Sequence, residues 1–137
     1  MKTVKRAVIL CICLMMAFAL IPATNTNAAR VTKTGVYGGC FASGKGAIKV
    51  SIKGKKLTMK GRPYNAYSEE MWYSDDTILK SQKRVFTLTK KTKYRTESGK
   101  KISLAKVKKH IKKNKGKLKK GLRVVVKKKK VAAVIIW

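Results

Sequence analysis

Acidic side chains are scarce in this sequence. Its 137 residues include only 5 Asp+Glu against 35 Lys+Arg, for a formal net charge of +30, and histidine occurs once. These numbers exclude any site that needs several histidines or many carboxylates, and the length excludes a large multi-domain enzyme. Hydrophobic residues make up 45% of the chain. The sequence therefore differs from a disordered polybasic tail, which has little apolar surface to bury.

The chain lacks an apolar run of the roughly 18–20 residues that span a bilayer. Ala7 to Ile21 is uncharged and apolar over 15 residues, follows three cations and precedes small and polar residues. This order is typical of a secretory signal peptide, with a retained anchor as the alternative. We predict cleavage after Ala28, or after Ala29 as the close alternative. The chain then divides into a signal peptide, 1–29, and one small β-barrel-like domain, 30–137.

Cysteine is also rare outside the expected signal peptide, where Cys40 is the only one left. A single cysteine cannot form an internal disulfide, so no disulfide framework is expected. Its setting beside two glycines and Phe41 favours a buried thiol over a reactive or intermolecular one. A Cys40–His110 nucleophilic pair lacks an orienting acid, and one Cys with one His falls short of a zinc site. We predict no catalytic residues, metal or cofactor.

Two runs with a period of two residues predict a β-hairpin. Ile48, Val50 and Ile52 alternate with polar residues, and Leu57 and Met59 do so after a short turn that contains glycine. The alternation gives each run one apolar face for a core and one polar face for water.

Other segments predict further strands. The chain from Arg30 to Phe41 predicts a first strand, interrupted at Gly38-Gly39. Arg84 to Thr89 predicts another, with Phe86 and Leu88 on one face.

A helix and a second hairpin follow. Ser103 is a helix N-cap residue, and apolar residues follow at Leu104, Val107 and Ile111, before Asn114 and Gly116 end the helix. The apolar, β-branched runs on either side of four consecutive lysines then predict the second hairpin, with its last strand buried on both faces.

The sum is a mainly β fold of four to six short strands with one short helix. Closing such strands into a small barrel removes exposed edges. An OB-like or SH3-like barrel after a cleaved signal peptide is our first prediction, and an open α+β roll the second.

Four segments resemble small secreted proteins of Gram-positive bacteria. They are Lys55–Gly61, Val85–Tyr94, the helix after Ser103, and Gly121–Val126. Those proteins carry a signal peptide followed by one lysine-rich OB-like β domain, and the group has no assigned activity. The resemblance implies a fold and an extracellular address. This chain departs from it by having neither Gly nor Asn at the last hairpin turn.

Two segments raise other candidate sites. Gly39 to Gly46 has the glycine and lysine spacing of a phosphate-binding loop, but Gly46 replaces the magnesium-binding Ser/Thr, which favours a flexible turn. An acidic and aromatic segment could instead hold a sugar ring or calcium. The favoured interpretation is that its acids pair with lysines while Trp72 and Tyr73 cover one end of the barrel. The residues of this segment are Tyr67, Glu69, Glu70, Trp72, Tyr73, Asp75 and Asp76.

The strongest signal is positive charge near the C-terminus. From Ser98 to Trp137 there are 15 lysines, one arginine and no acid. Such a field attracts polyanions. Lysine outnumbers arginine 29 to 6 over the whole chain, which favours diffuse attraction over reading of a base sequence. The predicted polyanion-binding residues are Lys106, Lys108, Lys109, Lys112, Lys113, Lys119, Lys120, Arg123, Lys127, Lys128, Lys129 and Lys130.

These patterns lead us to expect a secreted, cell-wall-associated, non-enzymatic cationic protein. Its expected partners are anionic cell-wall polymers, teichoic acid first. The alternatives are a membrane-active cationic protein at an anionic membrane surface, and an OB-like module that binds extracellular nucleic acid. The weakly apolar helix counts against the first alternative, and strands poor in aromatic residues count against the second.

Overall fold

A computed structural model describes residues 28–42, 46–68 and 78–137 of the chain. The described residues form nine strands and one helix, which confirms a mainly β fold with a single helix. The elements are β1 (Ala29–Arg30), β2 (Gly35–Cys40), β3 (Ile48–Lys53), β4 (Lys56–Gly61), β5 (Tyr64–Ala66), β6 (Arg84–Thr87), β7 (Lys93–Thr96), α1 (Leu104–Lys113), β8 (Gly121–Lys127) and β9 (Lys130–Ile136). Residues 1–27 of the expected signal peptide lie outside the described residues.

The strands form two sheets. The first has the order β1-β6-β4-β3 and the second the order β5-β2-β8-β9-β7. Most neighbours are antiparallel, but β1 pairs with β6 and β7 with β9 in parallel. Each sheet ends in two edge strands, so the pairing of the described strands does not close a ring. The main core fills the space between the sheets, where Tyr37 and Phe86 meet with ring centroids 5.6 Å apart.

The first predicted hairpin is confirmed. β3 and β4 pair in the register Val50–Met59, and the two-residue turn between Lys53 and Lys56 contains Gly54 at φ +56°. Leu57 and Met59 are completely buried. The alternating apolar residues face the core, as a strand with one solvated face requires.

The predicted interruption of the first strand at Gly38-Gly39 is wrong. β2 runs through both glycines and pairs with β8 from Gly35 to Cys40. Both positions require glycine, because the backbone of another segment of the chain lies very close to each of them. A Cβ on Gly38 would lie 2.3 Å from the Leu122 carbonyl oxygen. A Cβ on Gly39 would lie 1.8 Å from the Gly46 carbonyl oxygen. Here glycine marks a close contact within a strand, not a break.

The predicted helix is confirmed at both ends. The Ser103 side chain accepts a hydrogen bond from the Lys106 N–H at 3.2 Å, and the Asn114 N–H bonds the His110 carbonyl at 3.0 Å. Val107 is completely buried against the main core. An N-cap hydroxyl satisfies an N–H that the first helical turn leaves without a partner.

The second predicted hairpin is confirmed as β8 and β9. They lie next to each other inside the five-stranded sheet, and Val131 and Val134 to Ile136 are buried. A register shift follows Val125–Ala133, so Val126 pairs with Val131. Inner strands covered on both faces are apolar on both faces, which explains the continuous β-branched runs. The short strands β1, β5 and β7 were not predicted.

We expect Gly39→Ala to lower the free energy of unfolding by about 3 kcal/mol or more, because the obstructing atoms belong to backbone and cannot rotate away. Chemical denaturation of the purified variant measures this change. Gly54→Ala is the matched control: its Cβ meets nothing within 4 Å, so only the left-handed conformation costs about 1–2 kcal/mol. Equal effects of the two substitutions would contradict the close approach.

Candidate polyanion-binding surface

The eleven predicted lysines are all exposed. They form two groups that are close in the chain but apart in the fold. The helix cluster consists of Lys106, Lys108, Lys109, Lys112, Lys113, Lys119 and Lys120. The tip cluster consists of Lys127, Lys128, Lys129 and Lys130.

The two clusters lie at opposite ends of strand β8. The helix cluster reaches the start of β8, where the His110 ring bonds the Gly121 carbonyl at 3.1 Å. The tip cluster begins at Lys127, where β8 ends. At about 3.4 Å per residue, the two ends of this strand are roughly 20 Å apart. One small anion cannot reach both clusters, whereas a polymer with repeating charges can.

Helix α1 separates its lysines by direction. Its spacing places Lys106, Lys109 and Lys113 on one helix face, because residues i, i+3 and i+7 share a face. This face points away from the apolar stripe of the helix, which is Leu104, Val107 and Ile111. Lys108 and Lys112 lie nearer the apolar side and border a groove beside β3. The outward lysines repel each other, since like charges at these spacings destabilise a helix.

The tip cluster is held in a strained turn. Lys128 and Lys129 occupy the two central positions of the β8–β9 hairpin, with φ of 51° and 63°. A two-residue turn of this kind is normally made by Asn-Gly, because residues with a Cβ are strained at positive φ. The chain thus keeps two cations where Asn and Gly are better suited to the backbone. Strain of this kind is often retained at functional sites.

Lysine also faces lysine across both hairpins. The directly opposed pairs are Lys49–Lys60, Lys53–Lys56 and Lys127–Lys130. Like charges directly opposite each other destabilise a pair of strands, and natural sheets commonly place opposite charges there. Within 28–42, 46–68 and 78–137, the single acidic residue is Glu97, and its Oε1 lies 3.5 Å from Arg123 Nη1.

Arg123 does not belong to the exposed surface. It is 6% exposed, its Nη1 lies 3.5 Å from Glu97 Oε1, and its guanidinium carbon lies 5.7 Å from the centroid of the Trp137 ring. The position explains this: Arg123 stands within the buried strand β8, between apolar neighbours. Its placement among the polyanion-binding residues is therefore corrected to a structural role, in which a carboxylate and an aromatic ring compensate a buried cation.

The structure adds lysines that the sequence reasoning missed. A groove of about 580 Å³ runs between β3 and α1, and its border includes Lys49, Lys60 and Lys115 in addition to Lys108 and Lys112. The alternation of β3 and β4 already indicated that Lys49 and Lys60 point to solvent. Their proximity to the helix depends on tertiary packing and has no local sequence signal.

His110 is held as a neutral ring by its partners. Because the Gly121 carbonyl can only accept, His110 Nε2 carries the proton, and Nδ1 accepts from Asn114 Nδ2 at 3.0 Å. Burial lowers the pKa of His110, opposed by its bond to the Gly121 carbonyl and assisted by the nearby Lys120 charge. Burial also raises the pKa of the Cys40 thiol. This arrangement lacks the thiolate–imidazole hydrogen bond that a nucleophilic pair requires.

The other candidate sites are described only in part. Residues 43–45 of the glycine-rich turn are outside the described residues, but strand β3 follows the turn where a phosphate-binding loop requires a helix. Tyr67 of the acidic and aromatic segment is 81% exposed. The remaining members of that segment lie outside the described residues: Glu69, Glu70, Trp72, Tyr73, Asp75 and Asp76.

The described ranges contain neither a metal-ligand cluster nor a membrane-spanning helix. No group of three or more His, Cys, Asp or Glu side chains is placed to hold a metal ion in 28–42, 46–68 and 78–137. Among the same residues, no helix has the length and apolar character needed to cross a membrane. Comparison with known proteins found no matching family model, curated protein or solved structure.

We expect Arg123→Ala to lower the free energy of unfolding by about 2 kcal/mol, through lost packing and the loss of its partnership with Glu97. Denaturation in urea measures the change. Lys129→Ala is the control and should change stability by no more than about 0.5 kcal/mol, because that side chain is exposed. If Arg123→Ala left the free energy of unfolding unchanged, the structural role of Arg123 would be wrong, and Arg123 would again be a candidate polyanion-binding residue.

We expect acid to destabilise the fold through His110. Because the pKa of His110 is lowered in the folded state, the unfolded chain binds the proton first as pH falls. The contribution of His110 to stability is therefore fully present above its ordinary pKa of about 6.5 and is lost as pH falls toward the folded-state value. Urea denaturation at intervals from about pH 7.5 to 5 measures this slope, in a window above ordinary carboxyl pKa values. His110→Gln should flatten the slope, and Lys109→Gln should leave it unchanged. A slope that persists in His110→Gln would contradict the assignment.

Proposed function

We propose that this chain is a secreted, non-enzymatic protein that binds extracellular polyanions, cell-wall teichoic acid first among them. The observation that carries the proposal is the set of opposed lysine pairs in both hairpins. Each pair lowers the stability of the free protein, and a bound chain of phosphates relieves the repulsion while releasing its own counterions. The strained lysines of the tip cluster support the same function, because their conformation has no benefit for folding.

The spacing of the clusters favours a long ligand. The helix cluster and the tip cluster are roughly 20 Å apart along β8, and lysine predominates over arginine in both. Lysine is a compact, mobile point charge, suited to a flexible phosphate polymer, whereas arginine is suited to bidentate recognition of a defined group. This supports retention along a repeating polymer in preference to recognition of one anion.

The start of β1 bears on where the proposed signal peptide ends. Ala29 is the first residue of β1, and its N–H bonds the Lys83 carbonyl at 3.0 Å. Cleavage after Ala28 leaves this strand whole, whereas cleavage after Ala29 removes one of its two residues. We therefore propose Ala29 as the mature N-terminus. The extracellular, wall-associated location is proposed from the signal-peptide pattern of the sequence and from the charge.

We infer that the domain is a partly open small barrel related to the OB-like class. The support is the shared core between the sheets and the parallel bridge Cys40–Ala47, which joins the end of β2 to the start of β3 at one corner. In such a domain the lysines occupy the outer faces and turns, and the apolar residues fill the interior.

The alternative partners have less support. A membrane-active helix needs a free apolar face, but the α1 residue Val107 is completely buried in the main core. A nucleic-acid-binding barrel needs exposed aromatic residues on which bases stack. Tyr37 and Phe86 are buried, and Tyr67 is the one large aromatic strongly exposed within the described stretches.

We expect the mature protein to sediment with purified cell walls at about 0.05 M salt and to be released at about 0.5 M, with affinity falling at least about a hundredfold. Walls stripped of teichoic acid should retain little protein. Binding that survives both stripping and salt would overturn the proposal and direct attention to a neutral sugar site.

A charge reversal at the tip cluster gives the variant arm of this experiment. Lys130→Glu should raise the free energy of unfolding by about 0.5 kcal/mol, because opposite charges now face each other across the hairpin. The same change should reduce the slope of log affinity against log salt by about 1 or more. Lys83→Glu makes the same charge change at an exposed position outside both clusters. Equal losses of binding in the two variants would show that net charge alone retains the protein.

A further inference from the structure

The groove between β3 and α1 combines an apolar interior with a cationic border. Its volume is about 580 Å³. The apolar side chains that line it come from the loop before β3, from β3 and from α1: Phe41, Ile48, Val50, Ile52 and Ile111. Five lysines border it: Lys49, Lys60, Lys108, Lys112 and Lys115. Diffuse attraction of a phosphate polymer does not require an apolar interior, so this groove calls for a separate explanation.

The groove follows the open edge of a sheet. β3 is an end strand of its sheet, and five consecutive residues, Ile48 to Ile52, line the groove. Side chains of a strand alternate between its two faces. A cavity that contacts five in a row therefore lies along the edge of the strand, where the backbone itself is accessible.

The backbone at this edge has free hydrogen-bonding groups. The Arg62 N–H bonds the Ala47 carbonyl at 3.1 Å, and hydrogen-bonded pairs alternate along an antiparallel ladder. The pairs Lys49–Lys60 and Ser51–Thr58 therefore carry the bonds to β4, and the N–H and C=O groups of Val50 and Ile52 point away from it. No hydrogen bond from the described residues reaches those groups of Val50 and Ile52 on the open side.

We infer that this groove binds an extended acidic peptide, which adds a strand to the edge of β3. The peptide backbone pairs with Val50 and Ile52. Its apolar side chains enter the groove beside Ile111, and its carboxylates meet the lysines on the border. Strand addition of this kind obtains affinity from main-chain bonds and specificity from alternate side chains. The open backbone groups of Val50 and Ile52, with Ser51 between them, can pair with a peptide segment of roughly 4–5 residues.

Two other occupants fit the groove less well. An acyl chain of an anionic lipid would match the apolar lining and the lysines, but it would bury the open N–H and C=O groups without partners. A second copy of this chain, paired through β3, would bring Lys49 and Lys53 against the same lysines of its partner, and like charges opposite each other are destabilising. Only an acidic peptide satisfies the backbone, the apolar lining and the charge together.

The test uses the full mature protein and a fluorescent six-residue peptide of alternating Glu and Val. Anisotropy should show saturable binding. N-methylation of the alternate amides that face β3 should weaken the affinity by about tenfold or more, and methylation of the other set should weaken it by less than about threefold. The direction in which the peptide lies fixes which set faces β3 in the complex, so one methylated peptide should lose binding and the other should keep it. Equal behaviour of the two peptides would overturn strand addition.

Protein variants locate the site and separate it from the polyanion surface. Val50→Pro removes the open N–H, which β4 does not use, and proline is tolerated on the solvent side of an edge strand. It should weaken peptide binding by about tenfold and leave sedimentation with walls unchanged. Lys130→Glu should do the reverse. The methylated peptides test the proposal on the unaltered protein if Val50→Pro does not fold.

Two further ligands complete the comparison. Polyglutamate of the same charge tests whether charge alone is sufficient, and equal affinity for it would overturn the proposal. Lysophosphatidylglycerol is the lipid probe. If it displaces the peptide and shifts the NMR signals of Val50 and Ile111 at lower concentration than the peptide does, the groove is a lipid site and the proposal is wrong.

Discussion

Repulsion among lysines is the constraint on which this structure depends. The chain holds 35 Lys+Arg and only 5 Asp+Glu, so self-repulsion opposes every compact state. Apolar burial opposes that repulsion: the main core between the two sheets contains Tyr37 and Phe86, and a second buried cluster on the other sheet face contains Val125 and Ile135. No disulfide contributes within 28–42, 46–68 and 78–137, since Cys40, the cysteine of those ranges, is a free thiol. The stability of the domain is therefore the balance of apolar burial against charge, and any ligand that neutralises the lysines shifts the balance toward the folded state.

The interior shows how strictly charge is kept at the surface. Among the described residues, Arg84 and Arg123 are the cations with little exposure, at 6% each, and both have partners. The Arg84 guanidinium donates to the Lys80 carbonyl at 3.0 Å, and Arg123 lies between Glu97 and Trp137. No lysine of the described ranges is buried. Arginine keeps its charge when it is buried and presents several donors in a fixed geometry, which suits it to these two places.

Sequence patterns predicted the elements that carry a local signal, which is an alternation, a helical spacing or an apolar β-branched run. The alternation of β3 and β4 and the helical spacing of Val107 and Ile111 depend only on neighbours within a turn or a strand. The strands β1, β5 and β7 have two to four residues each. Segments this short complete at most two alternations of side-chain direction, so no local period marks them.

Local sequence likewise predicts some features of the candidate sites and not others. Exposure of the lysines could be predicted because they stand outside the apolar face of each element. The burial of Arg123 could have been inferred from its place between Leu122 and Val124, in a strand that is apolar on both faces. The groove could not have been inferred from the sequence, because it forms only where the edge of β3 lies beside α1. That juxtaposition is set by the packing of the whole core and by no residue near either element.

The order of the strands in the second sheet also governs when the domain can fold. β8 and β9 are inner strands of that sheet, yet they come from the last 17 residues of the chain, and β2 and β7 attach directly to them. The second sheet must therefore wait for residues 121–136, and β2 then pairs with a strand more than eighty residues away. Contacts this distant make folding slow. A growing chain that lacks these residues cannot assemble the second sheet, so the domain is completed only after that hairpin has been synthesised.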